Sequence, residues 1–169
     1  MSTLAYRTCP GCGVRLPVSE AYPDARYNAS AECLQLYGEL SAYTLTWGDT
    51  DFIHQLAVDA YAAQHSGEGM RPITTTFALV GLYLAYERGY TGRGVQDAHR
   101  RLAGRSKDWP RFEPPSHAGA VTVLDVLRAQ PGDDRDAMLR RWGKSVWDAW
   151  ANEHARVESL VARWLDRLW

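Results

Sequence analysis

The sequence predicts an all-α protein, a single-domain bundle of four to six helices with a metal-binding knuckle at its N-terminus. Three observations carry that expectation. From residue 30 onward, apolar side chains recur at spacings of three, four and seven, the period of a helix face. No stretch shows the sustained alternation of a half-buried strand. Ahead of the helical pattern stands Cys9-Pro10-Gly11-Cys12-Gly13, in a segment with little helical character. The 169 residues are enough to bury one core. Residues 1–29 read as a clasp and connector, and residues 30–169 as the bundle.

Two cysteines separated by two residues can place both sulfurs on one ion while the turn between them aims N–H groups at the thiolates. Pro10 presets that turn, Gly11 relaxes it, and Gly13 can take the left-handed conformation that follows. Thiolates in a tetrahedral site select zinc, with iron as the other transition metal in view. A thioredoxin-like redox pair would end a strand and open a helix, but no strand pattern precedes this motif and a polar, proline-containing segment follows it. Residues 15–28, with Pro17 and Pro23, are expected to form a connector of little regular structure, pinned to the body by Tyr22 and Tyr27.

Ser30 is placed to cap a first helix running to about residue 45, with Glu32 and Cys33 in its first turn. Cys33, Tyr37, Leu40 and Thr44 share one of its stripes. Residues 47–50 make a tight connection, after which Thr50 or Asp51 caps a second helix over residues 52–65. Ile53, Leu56, Ala57 and Ala60 form its apolar face; His54, Val58, Tyr61 and His65 form the neighbouring stripe. Gly67 and Gly69 stop it, and Pro72 opens a third helix over residues 73–88. Apolar nearly all round from residue 77 to 86, this helix is expected at the centre, with Gly81 admitting a close neighbour.

A weaker helix over residues 91–105 carries Val95, Ala98, Leu102 and Ala103. Pro110, Pro114 and Pro115 make residues 107–118 a loop. A short helix over residues 121–129 is capped by Thr122. The last element starts near Asp136 and runs to Trp169, unbroken or kinked at Gly143, with Trp147, Trp150, His154, Val157, Val161, Trp164 and Leu168 along one side.

Cys9, Cys12 and Cys33 supply three ligands if they converge, and a short connection makes the first two helices antiparallel neighbours. The turn centres near Gly48, so Cys33 faces the level of Ala62. His65 then lies about 5 Å along the axis from Cys33, and His54 about 12 Å away. His65 is therefore the expected fourth ligand, completing a closed Cys3His set of the structural zinc type. His54 stands second, ahead of His117 and Asp59. The plainer reading of His65 is a helix-terminal histidine that favours the dipole.

A second polar group, His54, Asp59, Tyr61, His154 and Glu158, lies on otherwise apolar helices. His154 and Glu158 are four apart, a spacing that turns two ligands toward one ion, and an open site of that kind would activate water or oxygen. Against it, a histidine among tryptophans is commonly a hydrogen-bonded core residue, and Glu158 can simply face solvent. Thr74-Thr75-Thr76 reads as capping, and the basic run from His99 to Lys107 as a solvated face.

Nineteen basic against 20 acidic side chains leave a formal net charge of −1, no electrostatic reason to expect nucleic acid or an acidic membrane. The apolar run over residues 77–86 is far too short to span a bilayer. With no secretion signal in view, the three cysteines read as reduced thiols of a cytoplasmic protein. No phosphate-binding loop, nucleophile elbow, dinucleotide fingerprint or His-Glu-x-x-His motif is present.

In combination, the CPGCG opening, the segment from Asn28 to Cys33 and the HQL-VDAY-QH helix from His54 to His65 resemble an uncharacterised bacterial family of small single-domain proteins. Residues 80–89 and the tryptophan-rich C-terminal helix extend the likeness over most of the chain. The resemblance implies no activity. It implies that Cys9, Cys12, Cys33, His54, Asp59, Tyr61 and His65 form one functional region. The expected function is metal binding in a structural role, with the protein acting by binding a partner protein or a small molecule. The alternatives are a metalloenzyme (hydrolytic, lyase or oxidative) with an open ion held by the bundle's His, Asp and Glu residues, and a redox switch on Cys9 and Cys12.

Overall fold

A computed structural model describes residues 5–104 and 108–166. Residues 105–107 of the basic run, with Leu168 and Trp169 of the last helix, lie outside the described residues. A short antiparallel hairpin, β1 (Tyr6–Thr8) and β2 (Arg15–Pro17), precedes α1 (Ala31–Trp47), α2 (His54–Gln64), α3 (Pro72–Glu87), α4 (Gly92–Ala103), α5 (Val123–Arg128), α6 (Asp133–Ala149) and α7 (His154–Trp164). The described residues thus hold seven helices rather than four to six, and a hairpin where no strand was expected.

The hairpin escapes a periodicity reading because each strand has three residues and only Leu16 among them is buried. It exists because the knuckle is itself a reverse turn. Arg7 pairs with Leu16, and the turn is closed by Cys9 N–H donating to the Val14 carbonyl at 2.8 Å and Gly13 N–H to the Cys9 carbonyl at 2.9 Å. Gly13 takes φ +76°, the left-handed conformation that its place in the motif requires. Beyond the hairpin, Tyr22 is 90% exposed and pins nothing. Tyr27 does, meeting the Tyr61 ring edge-on at 5.2 Å.

Ser30 caps α1, its hydroxyl accepting from Cys33 N–H at 3.2 Å, and Gly48 ends the helix at φ +63°. Neither Thr50 nor Asp51 caps α2. The N-cap position is Ile53, without a side-chain cap bond, and Asp49 Oδ2 accepts from the Ile53 N–H just ahead of the helix at 3.0 Å. α3 is buried at every position from Ala78 to Leu84, as its composition predicts. α2 is equally enclosed from Asp59 to His65, because it packs against α1, α3, α4 and α6.

α6 supplies the large core side chains. Trp142, Trp147 and Trp150 are buried, and each indole N–H finds an acceptor on the central pair: Gln64 Oε1 at 2.9 Å, Glu87 Oε1 at 2.7 Å and the Ala63 carbonyl at 3.2 Å. Gly143 does not kink α6; its bare face receives Tyr86 and Leu56. The break comes instead at Trp150, followed by a 3-10 turn over Ala151–Glu153. His154 Nε2 donates to the Trp147 carbonyl at 2.8 Å, capping the α6 end, while its ring stacks on Trp147 at 3.7 Å. No described helix is long and apolar enough to cross a membrane.

Candidate metal centre

The knuckle, the first turn of α1 and the C-terminal end of α2 meet at one point. The β1–β2 turn presents Cys9 and Cys12. The Ser30 cap that starts α1 also fixes Cys33, whose N–H it holds. His65 is the residue on which α2 ends. Each of the four offers a ligand atom, and these atoms all lie within 4.8 Å of one another. Cys12 Sγ is 3.8 Å from Cys33 Sγ, and Cys33 Sγ is 3.4 Å from His65 Nε2. Two thiolates on one tetrahedral zinc stand about 3.8 Å apart, and a thiolate and an imidazole nitrogen about 3.5 Å. The four residues therefore form a Cys3His group of a size that fits a metal ion.

The surroundings select the ligand form of each residue. His65 Nδ1–H donates to the Tyr61 carbonyl at 2.8 Å, which leaves Nε2 with its lone pair turned toward Cys33. Ser30 N–H points at Cys9 Sγ at 3.5 Å, and the backbone N–H groups of Cys12 and Val14 point at the sulfurs of Cys9 and Cys12. Tyr61 donates its hydroxyl to Cys33 Sγ at 3.8 Å while its ring lies stacked between His65 and Tyr37, 4.0 Å from each.

Cys9, Cys33 and His65 are buried and Cys12 is half-buried. In that setting the thiols do not ionise alike. Cys9 is held far below the usual thiol range, because the thiols of Cys12 and Cys33 donate to it. Cys12 is pushed up to about 12: donation from Cys33 lowers it, but donation to Cys9, burial and the Cys9 charge outweigh that. Cys33 is raised further by donating to Cys12 and Cys9, and by burial. The metal-free cluster thus accommodates one negative charge and resists the next two. A bound dication is the natural counter-charge for all three.

Two features lock the clasp on the helices. Gly11 lies against the Asn28 carbonyl and the His65 ring, where an added Cβ would overlap both, and Asn28 N–H donates to the His65 carbonyl at 2.9 Å. Glu32, buried in the first turn of α1, accepts from Ser19 N–H at 3.1 Å and from Arg7 at 3.2 Å. Its carboxyl is held below the usual range, first by backbone N–H donors and then by Arg7.

The second polar group expected from the sequence is not assembled. Among the described residues, Cys9, Cys12, Cys33 and His65 form the only group of three or more such side chains with converging ligand atoms. His54 bonds the Thr44 hydroxyl through Nδ1 at 2.8 Å, near the far end of α1 from Cys33. His154 is committed to Trp147, and Glu158 and His117 are exposed. Asp59 is buried between α2 and α3, its Oδ1 accepting from Gln55 Nε2 at 3.1 Å and its other oxygen lying against Gly81. Gly81 does admit a close neighbour, and that neighbour is a carboxyl group.

Asp59 also opens onto a cleft of about 300 Å³ between α2, α3 and α4, which the sequence reading missed. His99, read as part of a solvated basic face, turns into this cleft. Its Nε2–H donates to the Phe77 carbonyl at 2.9 Å, and its Nδ1 accepts from Gln55 Nε2 at 3.4 Å. The signal for it was present: His99 falls four after Val95 and three before Leu102, on the buried stripe of α4.

Comparison with curated proteins and with solved structures gives no match. A family profile does match, and the matched stretch takes in all four ligands of the Cys3His group while ending before α7. The chain belongs to that family, a family of unknown function (DUF5946), whose profile covers residues 7–151.

Proposed function

We propose that the protein binds zinc through Cys9, Cys12, Cys33 and His65, that the ion is structural, and that the protein acts by binding a small molecule or a partner rather than by metal catalysis. One observation carries this. Four protein ligand atoms, the full complement of a tetrahedral ion, lie within 4.8 Å of one another in a mostly buried setting, whereas a catalytic zinc keeps one position open. The ion would join the clasp to the helical body, and the site's three thiolates suit the reducing cytoplasm. Zinc fits the ligand set better than a lone iron, since thiolate and imidazole in a closed tetrahedron are its preferred environment.

Protein purified without chelator should carry about one equivalent of zinc, given the affinity of structural sites. After exchange for cobalt, the visible spectrum should show a four-coordinate ion with thiolate charge-transfer bands, unchanged by added azide or cyanate. Substoichiometric metal, or an ion that takes up the added anion, would overturn the structural assignment.

A further inference from the structure

We propose that the cleft between α2, α3 and α4 binds a small organic cation, a primary or secondary amine with an apolar body, whose ammonium group pairs with Asp59. This deepens the reading of the protein as a binding protein and is independent of which ion the Cys3His group holds.

The cleft is mostly apolar. Val58, Ile73, Phe77 and Ala78 line its walls, with Thr74, His99, Gln55 and Asp59 as polar members. Among the described residues, no lysine or arginine lines it. Asp59 is 3% exposed, and the Gln55 amide is its only hydrogen-bond partner among the described residues. Among the described residues, the titratable groups around it give no positive charge. His99, from α4, is held neutral, pushed down to about 4 by burial, and both its ring nitrogens are engaged. Tyr37, from α1, is raised by its own burial above all, with the nearby Tyr27 and Asp59 adding to it. Gly81, from α3, presents only backbone.

A buried carboxyl without a cation is costly, and desolvation raises its pKa well above the usual carboxylate range. An amide at position 59 would fill the same space without that cost. The acid gains a purpose when a cation enters the cleft: it then ionises, releases its proton to solvent and pairs with the ligand. The aromatic rings of Tyr27 and Phe77 at the same cleft suit an ammonium group. Among the described residues, an anionic ligand would find no counter-charge there. A volume of about 300 Å³ lies at the small end of ligand sites, which favours a simple amine over a peptide or nucleotide.

The test uses the full zinc-loaded chain and titration calorimetry with hexylamine and phenethylamine, against hexanol and hexanoate as shape-matched controls. The amines should bind at least ten-fold more tightly than the controls. Titration in two buffers of different ionisation enthalpy should show about one proton released per amine bound. Asp59→Asn should keep its zinc and its unfolding temperature, and lose amine affinity at least ten-fold together with the proton release. As a readout that needs no variant, the carbon-13 resonance of the Asp59 carboxyl should move from its acid to its carboxylate position on adding amine. The proposal is overturned if the amines fail to saturate below about 10 mM, if hexanol binds as well, if Asp59→Asn binds amines unchanged, or if the carboxyl resonance stays put. None of those outcomes touches the structural-metal reading, which zinc content decides separately.

Discussion

Gly11→Ala is the sharpest probe of how the clasp meets the helices. A Cβ at position 11 would stand 2.6 Å from His65 Cδ2 and 3.1 Å from His65 Cα, and closer still to the Asn28 carbonyl oxygen. Ordinary carbon–carbon contact begins near 3.4 Å, so relief demands a displacement of roughly 1 Å between the knuckle and the end of α2. Metal–ligand distances tolerate only about 0.2 Å. The added methyl group therefore forces a choice between overpacking, at about 1–3 kcal/mol, and losing His65 or a knuckle thiolate from the ion. We expect zinc affinity to fall at least ten-fold in competition with a chromophoric chelator. The unfolding temperature should drop by roughly 2–12 °C, at about 2–4 °C per kcal/mol for a chain of this length.

Two glycines serve as controls. Gly38 lies inside α1 with open space around it, so Gly38→Ala should raise stability by about 0.5–1 kcal/mol. Gly13 also faces open space but has φ +76°, so Gly13→Ala should cost about 1–2 kcal/mol of backbone strain without steric overlap with a ligand. Wild-type zinc affinity in Gly11→Ala would refute the packing of the knuckle against His65.

Two further predictions follow from the same contacts. Because the thiols of Cys12 and Cys33 hold Cys9 far below the usual thiol range while they are themselves raised, zinc uptake near pH 7 should expel about two protons. The logarithm of the affinity should then rise with pH at a slope near two, falling away on acidification; a slope near three, from chelator-competition titrations at a series of pH values, would mean that Cys9 gains nothing from its neighbours. Trp142→Phe removes the N–H that Gln64 Oε1 accepts, and Gln64 Nε2 in turn donates to the carbonyls of Ala118 and Val121. We expect a loss of about 1–3 kcal/mol and faster proteolysis between residues 112 and 122, with zinc content unchanged.

The metal group was legible in the sequence because each of its parts obeys a local rule. The Cys-x-x-Cys turn needs Gly13 at positive φ, Ser30 must cap a helix to leave Cys33 in its first turn, and a short connection sets the register that brings His65 level with Cys33. The same arithmetic put His54 too far away, and it is found beside Thr44. What could not be read depends on tertiary context. The break after α6 carries no glycine or proline: it is made by the buried Trp150 and by His154 turning back onto Trp147. That turn also withdraws His154 from the expected pairing with Glu158. The Asp59 cleft is assembled from three helices, and no spacing within one of them shows that Gln55 will reach both Asp59 and His99.

All four ligands fall between residues 9 and 65, whereas α3, α6 and the tryptophans that enclose α2 come later in the chain. A ribosome adding roughly 5–20 residues per second delivers Trp164 on the order of 5–20 seconds after His65. During that interval the nascent α1–α2 pair has its sulfurs and imidazole but not its apolar cover. An ion captured at this stage would staple the early hairpin in its final register before its greasy side chains, Ala57, Ala60 and Tyr61 among them, meet their permanent neighbours. Metal supply during synthesis, rather than afterwards, would then govern how much of the protein reaches its native state.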